Sequence, residues 1–105
     1  MKKHNKAIRD KIPEIIEESG KKYNLKQLDD TSFLAELEKK LIEEVNEYTE
    51  SKDVEELADI LEVIYRISYL KGESKEELEN IRLKKLQDKG GFKKKLFLVD
   101  ADDVK

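Results

Sequence analysis

The chain has 105 residues and a formal net charge of −3, with 45% charged and 37% hydrophobic residues. A chain of this length makes one domain, over residues 1–105, with little core of its own. We therefore expect oligomerisation to complete the core, in a homodimer or homotetramer. The small net charge predicts no binding to a nucleic acid polymer or to a membrane surface. Because the chain has no cysteine and no apolar run of about 18 residues, we expect a cytoplasmic protein.

A basic segment and a short helix open the chain. Residues 1–11 are rich in lysine, and this composition alone is typical of a solvated arm. Pro13 suits the first turn of a helix, which we place over residues 13–19 and which Gly20 ends. Residues 21–30 then form a polar connection.

Two longer helices follow, each predicted from apolar residues at helical spacing. We place the first over residues 32–49, with Thr31 or Ser32 as its cap. The second spans residues 54–71 and ends at Gly72. The link between them is short and polar, so the two helices are expected to pack as antiparallel neighbours.

A third long helix spans residues 75–89, because Ser74 and Glu77 form a capping box before it. Its apolar stripe is thin, and we expect it to cover the central pair of helices. Residues 92–103 have β-tendency and form an arm that lies on this chain, on a partner or in solvent. The predicted fold is all-α, a helical bundle of three to four helices.

The second long helix is apolar on two sides, which is typical of a helix at the centre of a bundle or shared between subunits. No helix of so short a chain is available to cover the second of these faces, and we expect a partner subunit to bury it. The first face consists of Val54, Leu57, Leu61, Ile64 and Ser68, and the second of Ile60, Val63, Ile67 and Leu70.

Two carboxylate pairs lie on the central helices, Glu44 with Glu47 and Glu56 with Asp59. Residues spaced i,i+3 share one side of a helix. Antiparallel packing across the short link would bring the four acids together, where they repel one another unless a cation lies among them. An all-oxygen site of this kind favours Mg²⁺, with Mn²⁺ also possible.

The same pairs have a simpler interpretation. An acidic chain places many i,i+3 pairs on solvated helix faces, and the run from Asp53 to Glu56 also fits a helix cap. Against this, Glu44 lies about 60° from the apolar residue Leu41 and borders the core, whereas Glu43 points almost opposite the stripe. Two pairs on consecutive helices, both angled toward apolar faces, favour the metal site.

The motifs resemble those of a known superfamily. EEVNE at residues 43–47, followed by EELAD at residues 55–59, resembles the EExxE and ExxD signature of the MazG-type, all-α nucleoside triphosphate pyrophosphohydrolases, to which phosphoribosyl-ATP pyrophosphohydrolase belongs. KAIRDKIPEII at residues 6–16 and KLQDKGGFKKKLFL at residues 85–98 are similar to the ends of short, single-domain MazG-like proteins.

This resemblance implies Mg²⁺-dependent hydrolysis of a nucleoside triphosphate, or of a nucleotide such as phosphoribosyl-ATP, to the monophosphate and pyrophosphate. Glu43 and Glu62 are spare acids, able to support the site or to lie on a solvated face. Lys85 and Lys89 also suit the negative end of the dipole of the third long helix. The implied catalytic metal ligands are Glu44, Glu47, Glu56 and Asp59, and the implied substrate-binding residues are Lys6, Arg9, Lys85 and Lys89.

Two other functions fit the composition. The first is a non-catalytic helical protein–protein interaction module, in which the second apolar face of the central helix binds a partner. The second is a nucleic acid accessory protein that uses the basic ends of the chain, against which the acidic middle counts.

Overall fold

The computed structural model describes residues 1–102, and within this range helices are the only regular secondary structure. The predicted all-α fold of three to four helices is confirmed, with four helices whose bounds lie within two residues of those expected. No helix in this range is long and apolar enough to cross a membrane. The helices are α1 (Ile12–Glu18), α2 (Asp30–Ser51), α3 (Val54–Leu70) and α4 (Lys75–Lys89).

Helix α2 begins earlier than predicted because Asp29 caps it. The Ser32 backbone N–H donates a hydrogen bond of 2.8 Å to Asp29 Oδ1, so the prediction that Thr31 or Ser32 forms the cap is wrong. A carboxylate caps as well as a hydroxyl and also interacts favourably with the positive end of the helix dipole. The hydrogen bond from Ser32 holds the pKa of Asp29 below its usual value.

Short, capped connections join α2, α3 and α4. Lys52 ends α2 in the left-handed conformation with a φ of 60°, and Asp53 caps α3 by accepting a hydrogen bond of 3.2 Å from the Glu55 backbone N–H. This tight turn folds α3 back against α2. The predicted capping box of α4 is present, with reciprocal hydrogen bonds of 3.1 Å between Ser74 and Glu77.

The core is small and includes the N-terminal segment. Its centre is formed by three buried residues, Ala7 from the segment, Leu37 from α2 and Val63 from α3. Because Ala7 is buried between the long helices, the segment before α1 is held in place. Partly buried apolar residues surround this centre, namely Phe33, Leu41, Ile67 and Leu70.

The exposed apolar residues of helix α3 do not belong to the face that we predicted to be uncovered. They lie in the first half of its other apolar face. Val63 is buried and Ile67 packs against the core, whereas Val54 is 75% exposed and Leu61 47% exposed. The prediction that the face with Ile60, Val63, Ile67 and Leu70 lacks a cover within the chain is therefore wrong, because α2 and the N-terminal segment cover it. Periodicity identifies both apolar faces but does not determine which of them the neighbouring helix takes.

Helix α4 and the following arm are peripheral. Among the helices of the described range, α4 contacts α3 and not α2, so the prediction that it covers the central pair is wrong. Its residues Ile81, Leu83 and Leu86 are all more than 40% exposed. Beyond Gly90 the arm forms no strand before residue 102, and Phe92 is 98% exposed.

The overall shape is elongated. The principal extents are 58 × 32 × 23 Å and the radius of gyration is 18.3 Å, whereas a compact domain of this size has about 13 Å. The chain therefore leaves much apolar surface uncovered.

Candidate metal centre beside a basic groove

The acids of α2 and α3 lie together at the turn between these helices. Oxygens of Glu44, Glu56 and Asp59 lie within 4.8 Å of one another, and so do oxygens of Glu43, Glu44 and Glu47. Glu44 belongs to both groups and is the centre of the cluster. We call these five residues the acidic cluster.

The fold positions these acids through the contact between α2 and α3. Glu44 follows the buried residue Leu37 by two helical turns and is itself only 7% exposed. Glu56 lies in the first turn of α3, but Asp53 caps that helix through the Glu55 N–H. The carboxylate of Glu56 instead lies among the acids, so the interpretation of Glu56 as a capping residue does not describe its position.

Glu44 has one carboxylate oxygen without a protein partner. Its Oε1 pairs with Lys40 Nζ at 3.5 Å, while its Oε2 is buried and has no hydrogen-bond donor among residues 1–102. An unsatisfied buried acceptor costs about 1–3 kcal/mol, and more when the group is charged. This oxygen is therefore available to a donor or a cation from outside residues 1–102.

Electrostatic crowding raises the pKa of two acids. For Glu44, burial raises the pKa, and the charge of Glu47 raises it further against the opposing effect of Lys40. For Glu56, burial and the charges of Glu47 and Asp59 all raise the pKa. The fully ionised cluster is thus unfavourable without a cation.

The N-terminal segment forms a groove against the acidic cluster. Lys6 Nζ lies 3.2 Å from Glu43 Oε1, and Arg9 Nη2 lies 2.6 Å from Asp59 Oδ1. The groove has a volume of about 310 Å³, within the range of small-molecule sites. Cations and carboxylates share its lining, which consists of Lys6, Ile8, Arg9, Ile12, Lys40, Glu44, Glu47 and Asp59.

The formal charges of the site leave room for a divalent cation. Five carboxylates of the acidic cluster face three cationic side chains of the groove, Lys6, Arg9 and Lys40. The difference is a formal charge of −2 when every acid is ionised.

Sequence reasoning left the role of one residue open and missed another. Glu43, a spare acid in the sequence, belongs to the acidic cluster and pairs with Lys6 of the N-terminal segment. Lys40 pairs with Glu44, which its i,i+4 spacing could have indicated.

Other predicted residues lie outside the site. Glu62 is exposed on α3 and belongs to neither carboxylate group. Lys85 and Lys89 are exposed on α4 and do not line the groove. Within one chain, Lys6 and Arg9 thus lie beside the acidic cluster, whereas Lys85 and Lys89 do not.

Replacing Glu56 with glutamine is expected to raise the melting temperature of the metal-free protein near neutral pH. Because the pKa values of Glu44 and Glu56 are raised above 4.5, the folded state binds protons more tightly than the unfolded state. The free energy of unfolding therefore falls as pH rises from about 4.5 through these raised values. Glu56→Gln removes one of the acids whose ionisation lowers the free energy of unfolding.

Thermal melts in chelator at about pH 4 and about pH 7.5 test this expectation. The difference between variant and wild type should be larger at the higher pH, and the exposed control Glu55→Gln should show no such pH dependence. A lower melting temperature for Glu56→Gln at neutral pH would contradict the crowding described above.

Comparison with known proteins assigns no family to the chain. A scan against protein-family models, a search of curated proteins and a search of solved structures each gave no match.

Proposed function

We propose that this chain is a MazG-like, Mg²⁺-dependent nucleotide pyrophosphohydrolase. It hydrolyses a nucleoside triphosphate, or a related nucleotide such as phosphoribosyl-ATP, to the monophosphate and pyrophosphate. The observation that carries the proposal is the buried Glu44 Oε2 without a donor, at the centre of two carboxylate groups. Two cations of the adjacent groove, Lys6 and Arg9, suit a substrate with several phosphates.

The residues fit Mg²⁺ or Mn²⁺ better than a softer metal. The donors are all carboxylate oxygens, which these hard ions prefer, and the formal charge of the site matches one divalent ion. We assign Glu44, Glu47, Glu56 and Asp59 as the ligands. When bound, the ion supplies positive charge that stabilises the phosphate oxygens during hydrolysis.

The other residues of the groove orient the substrate and accept a proton. Lys6 and Arg9 are each more than 40% exposed at the side chain and can bind phosphate oxygens by charge-assisted hydrogen bonds. When Lys6 turns to a phosphate, Glu43 becomes free. We assign Glu43, which lies next to the groove, to take the proton of the water as its oxygen bonds to the α-phosphorus, the α–β anhydride P–O bond breaks and pyrophosphate leaves.

The experiment that tests this function is a screen of pyrophosphate release. Canonical and modified nucleoside triphosphates and phosphoribosyl-ATP are incubated with the protein in Mg²⁺ and in chelator. We expect release from at least one substrate in Mg²⁺ and none in chelator. Absence of release from every substrate would contradict the proposal.

The exposed apolar surfaces support assembly of the active protein from two or more copies. Val54, Leu57 and Leu61 line an outward face of α3, and the arm at residues 96–99 is at least 78% exposed. Burying such surface contributes about 25 cal/mol per Å². A second copy is also the source from which Lys85 and Lys89 could reach the groove.

Leu61→Asp is expected to dissociate the assembly while leaving the helices folded, because Leu61 is 47% exposed in the single chain. Ile67→Asp is the contrasting variant, since Ile67 packs against the core and an unpaired charge there should unfold the chain. Sedimentation and circular dichroism measure both effects. A wild type that is monomeric at micromolar concentration would contradict assembly.

The same surfaces favour one alternative, a non-catalytic interaction module. In that case a different protein covers the outward face of α3, and the acidic cluster is a solvated surface. Binding of a partner without any effect of divalent ions would favour this alternative.

A further inference from the structure

Arg9 holds one of the carboxylates that the proposed metal needs. Its guanidinium lies 2.6 Å from Asp59 Oδ1, and Asp59 shares a carboxylate group with Glu44 and Glu56. A guanidinium beside a carboxylate repels a divalent ion that binds the same carboxylate, even when the ion takes the other oxygen. The ion pair and a metal therefore compete for Asp59.

We propose that Arg9 is a displaceable internal cation, which occupies Asp59 in the absence of nucleotide and moves to the triphosphate when substrate binds. This inference rests on the proposed function. It makes Arg9 a residue that couples metal binding to nucleotide binding, in addition to contacting phosphate.

The surroundings of the ion pair make this exchange feasible. The side chains of Arg9 and Asp59 are 54% and 42% exposed, and solvent screens an exposed pair, so it is easily separated. The pair of Lys40 and Glu44 differs, because its side chains are only 14% and 9% exposed. Lys40 thus stays with Glu44 while Arg9 can leave.

The backbone beside Arg9 stays in place during the exchange. Ala7 is buried in the core, so the segment remains attached and only the arginine side chain has to move. The planar guanidinium can donate two parallel hydrogen bonds to a phosphate as readily as to a carboxylate. A triphosphate in the groove therefore offers Arg9 a second partner within reach of the same segment.

The exchange couples the two ligands thermodynamically. A phosphate that takes Arg9 releases Asp59 and raises the affinity of the site for a divalent ion. By linkage, a bound ion raises the affinity for the nucleotide by the same factor. The site then binds the ion more weakly when no nucleotide is present.

The test is a titration with Mn²⁺ in the absence of nucleotide, followed by electron paramagnetic resonance. Arg9→Gln removes the competitor and is expected to bind Mn²⁺ with a Kd about twofold to fivefold lower than the wild type, the range expected for loss of an exposed ion pair. Arg9→Lys keeps the charge and should stay closer to the wild type. The same Arg9→Gln variant should show a raised KM for the nucleotide.

Lys3→Gln is the matched control, because Lys3 is exposed in the same segment and does not line the groove. It reports the general effect of losing one positive charge. An Arg9→Gln protein that binds Mn²⁺ no more tightly than Lys3→Gln would overturn the exchange, even when the wild type binds Mn²⁺ and releases pyrophosphate. A wild type that does neither would overturn the proposed function as well.

Discussion

Replacing Glu56 with glutamine is expected to lower pyrophosphohydrolase turnover by about 100-fold or more. The amide keeps the shape of the side chain but removes one charged ligand from the acidic cluster. Loss of a group that stabilises charge in the transition state lowers kcat by about 100-fold to 1,000-fold. Steady-state release of pyrophosphate at saturating Mg²⁺ measures kcat for the variant and the wild type.

Glu55→Gln is the control for this experiment. Glu55 is exposed on the same helix, one residue away, and its backbone N–H rather than its carboxylate takes part in the cap. Glu55→Gln makes the same change in net charge as Glu56→Gln without altering the acidic cluster. Equal activity in the two variants would mean that the carboxylates do not hold a catalytic metal. This result would favour the alternative of a non-catalytic interaction module.

Millimolar Mn²⁺ is expected to raise the melting temperature of the wild type by about 10 °C or more. The ion binds the folded state, and at one hundred times its Kd this contributes about 2.7 kcal/mol. For a domain of this size, each kcal/mol raises the melting temperature by about 4–8 °C. Melting curves followed by circular dichroism, with Mn²⁺ and with chelator, measure the shift.

Asp59→Asn and Glu62→Gln form a matched pair for the thermal shift. Both residues lie on α3 and each substitution removes one negative charge, but Asp59 belongs to the acidic cluster while Glu62 is exposed outside it. Asp59→Asn should reduce the shift and Glu62→Gln should retain it. An unchanged melting curve for the wild type in Mn²⁺ would count directly against the site.

Local signals in the sequence predicted the helices well. Gly72 and the capping box of Ser74 and Glu77 act over a few residues, and they place the ends of α3 and α4 to within one residue. The convergence of acids from α2 and α3 was also predictable, because a tight turn forces these helices to be neighbours. Spacing along each helix then decides which side the acids share.

Contacts between distant parts of the chain were harder to predict. Glu43 was predicted to point away from the core because the helical wheel of α2 was oriented by its own apolar stripe alone. The N-terminal segment covers that side, held by Ala7, and a single small apolar residue in a basic segment gives almost no periodic signal. The inward face of α3 was misassigned because both of its faces are apolar.

Of the four basic residues predicted to bind substrate, two lie beside the acidic cluster and two do not. Lys6 and Arg9 lie beside the acidic cluster, as the resemblance of KAIRDKIPEII to MazG-like proteins led us to expect. Lys85 and Lys89 share α4, which contacts only α3 among the helices of the described range. Their position relative to the groove depends on assembly, which the sequence of one chain does not determine.

The central claim is that Glu44 Oε2 binds a divalent cation, and Mn²⁺ bound per chain measures this most directly. Electron paramagnetic resonance of the wild type should show about one tightly bound Mn²⁺ per chain, in line with the formal charge of the site. Glu44→Gln should lose this binding, because the amide removes the charge at the centre of both carboxylate groups. Binding of Mn²⁺ by Glu44→Gln with the affinity and stoichiometry of the wild type would contradict the claim.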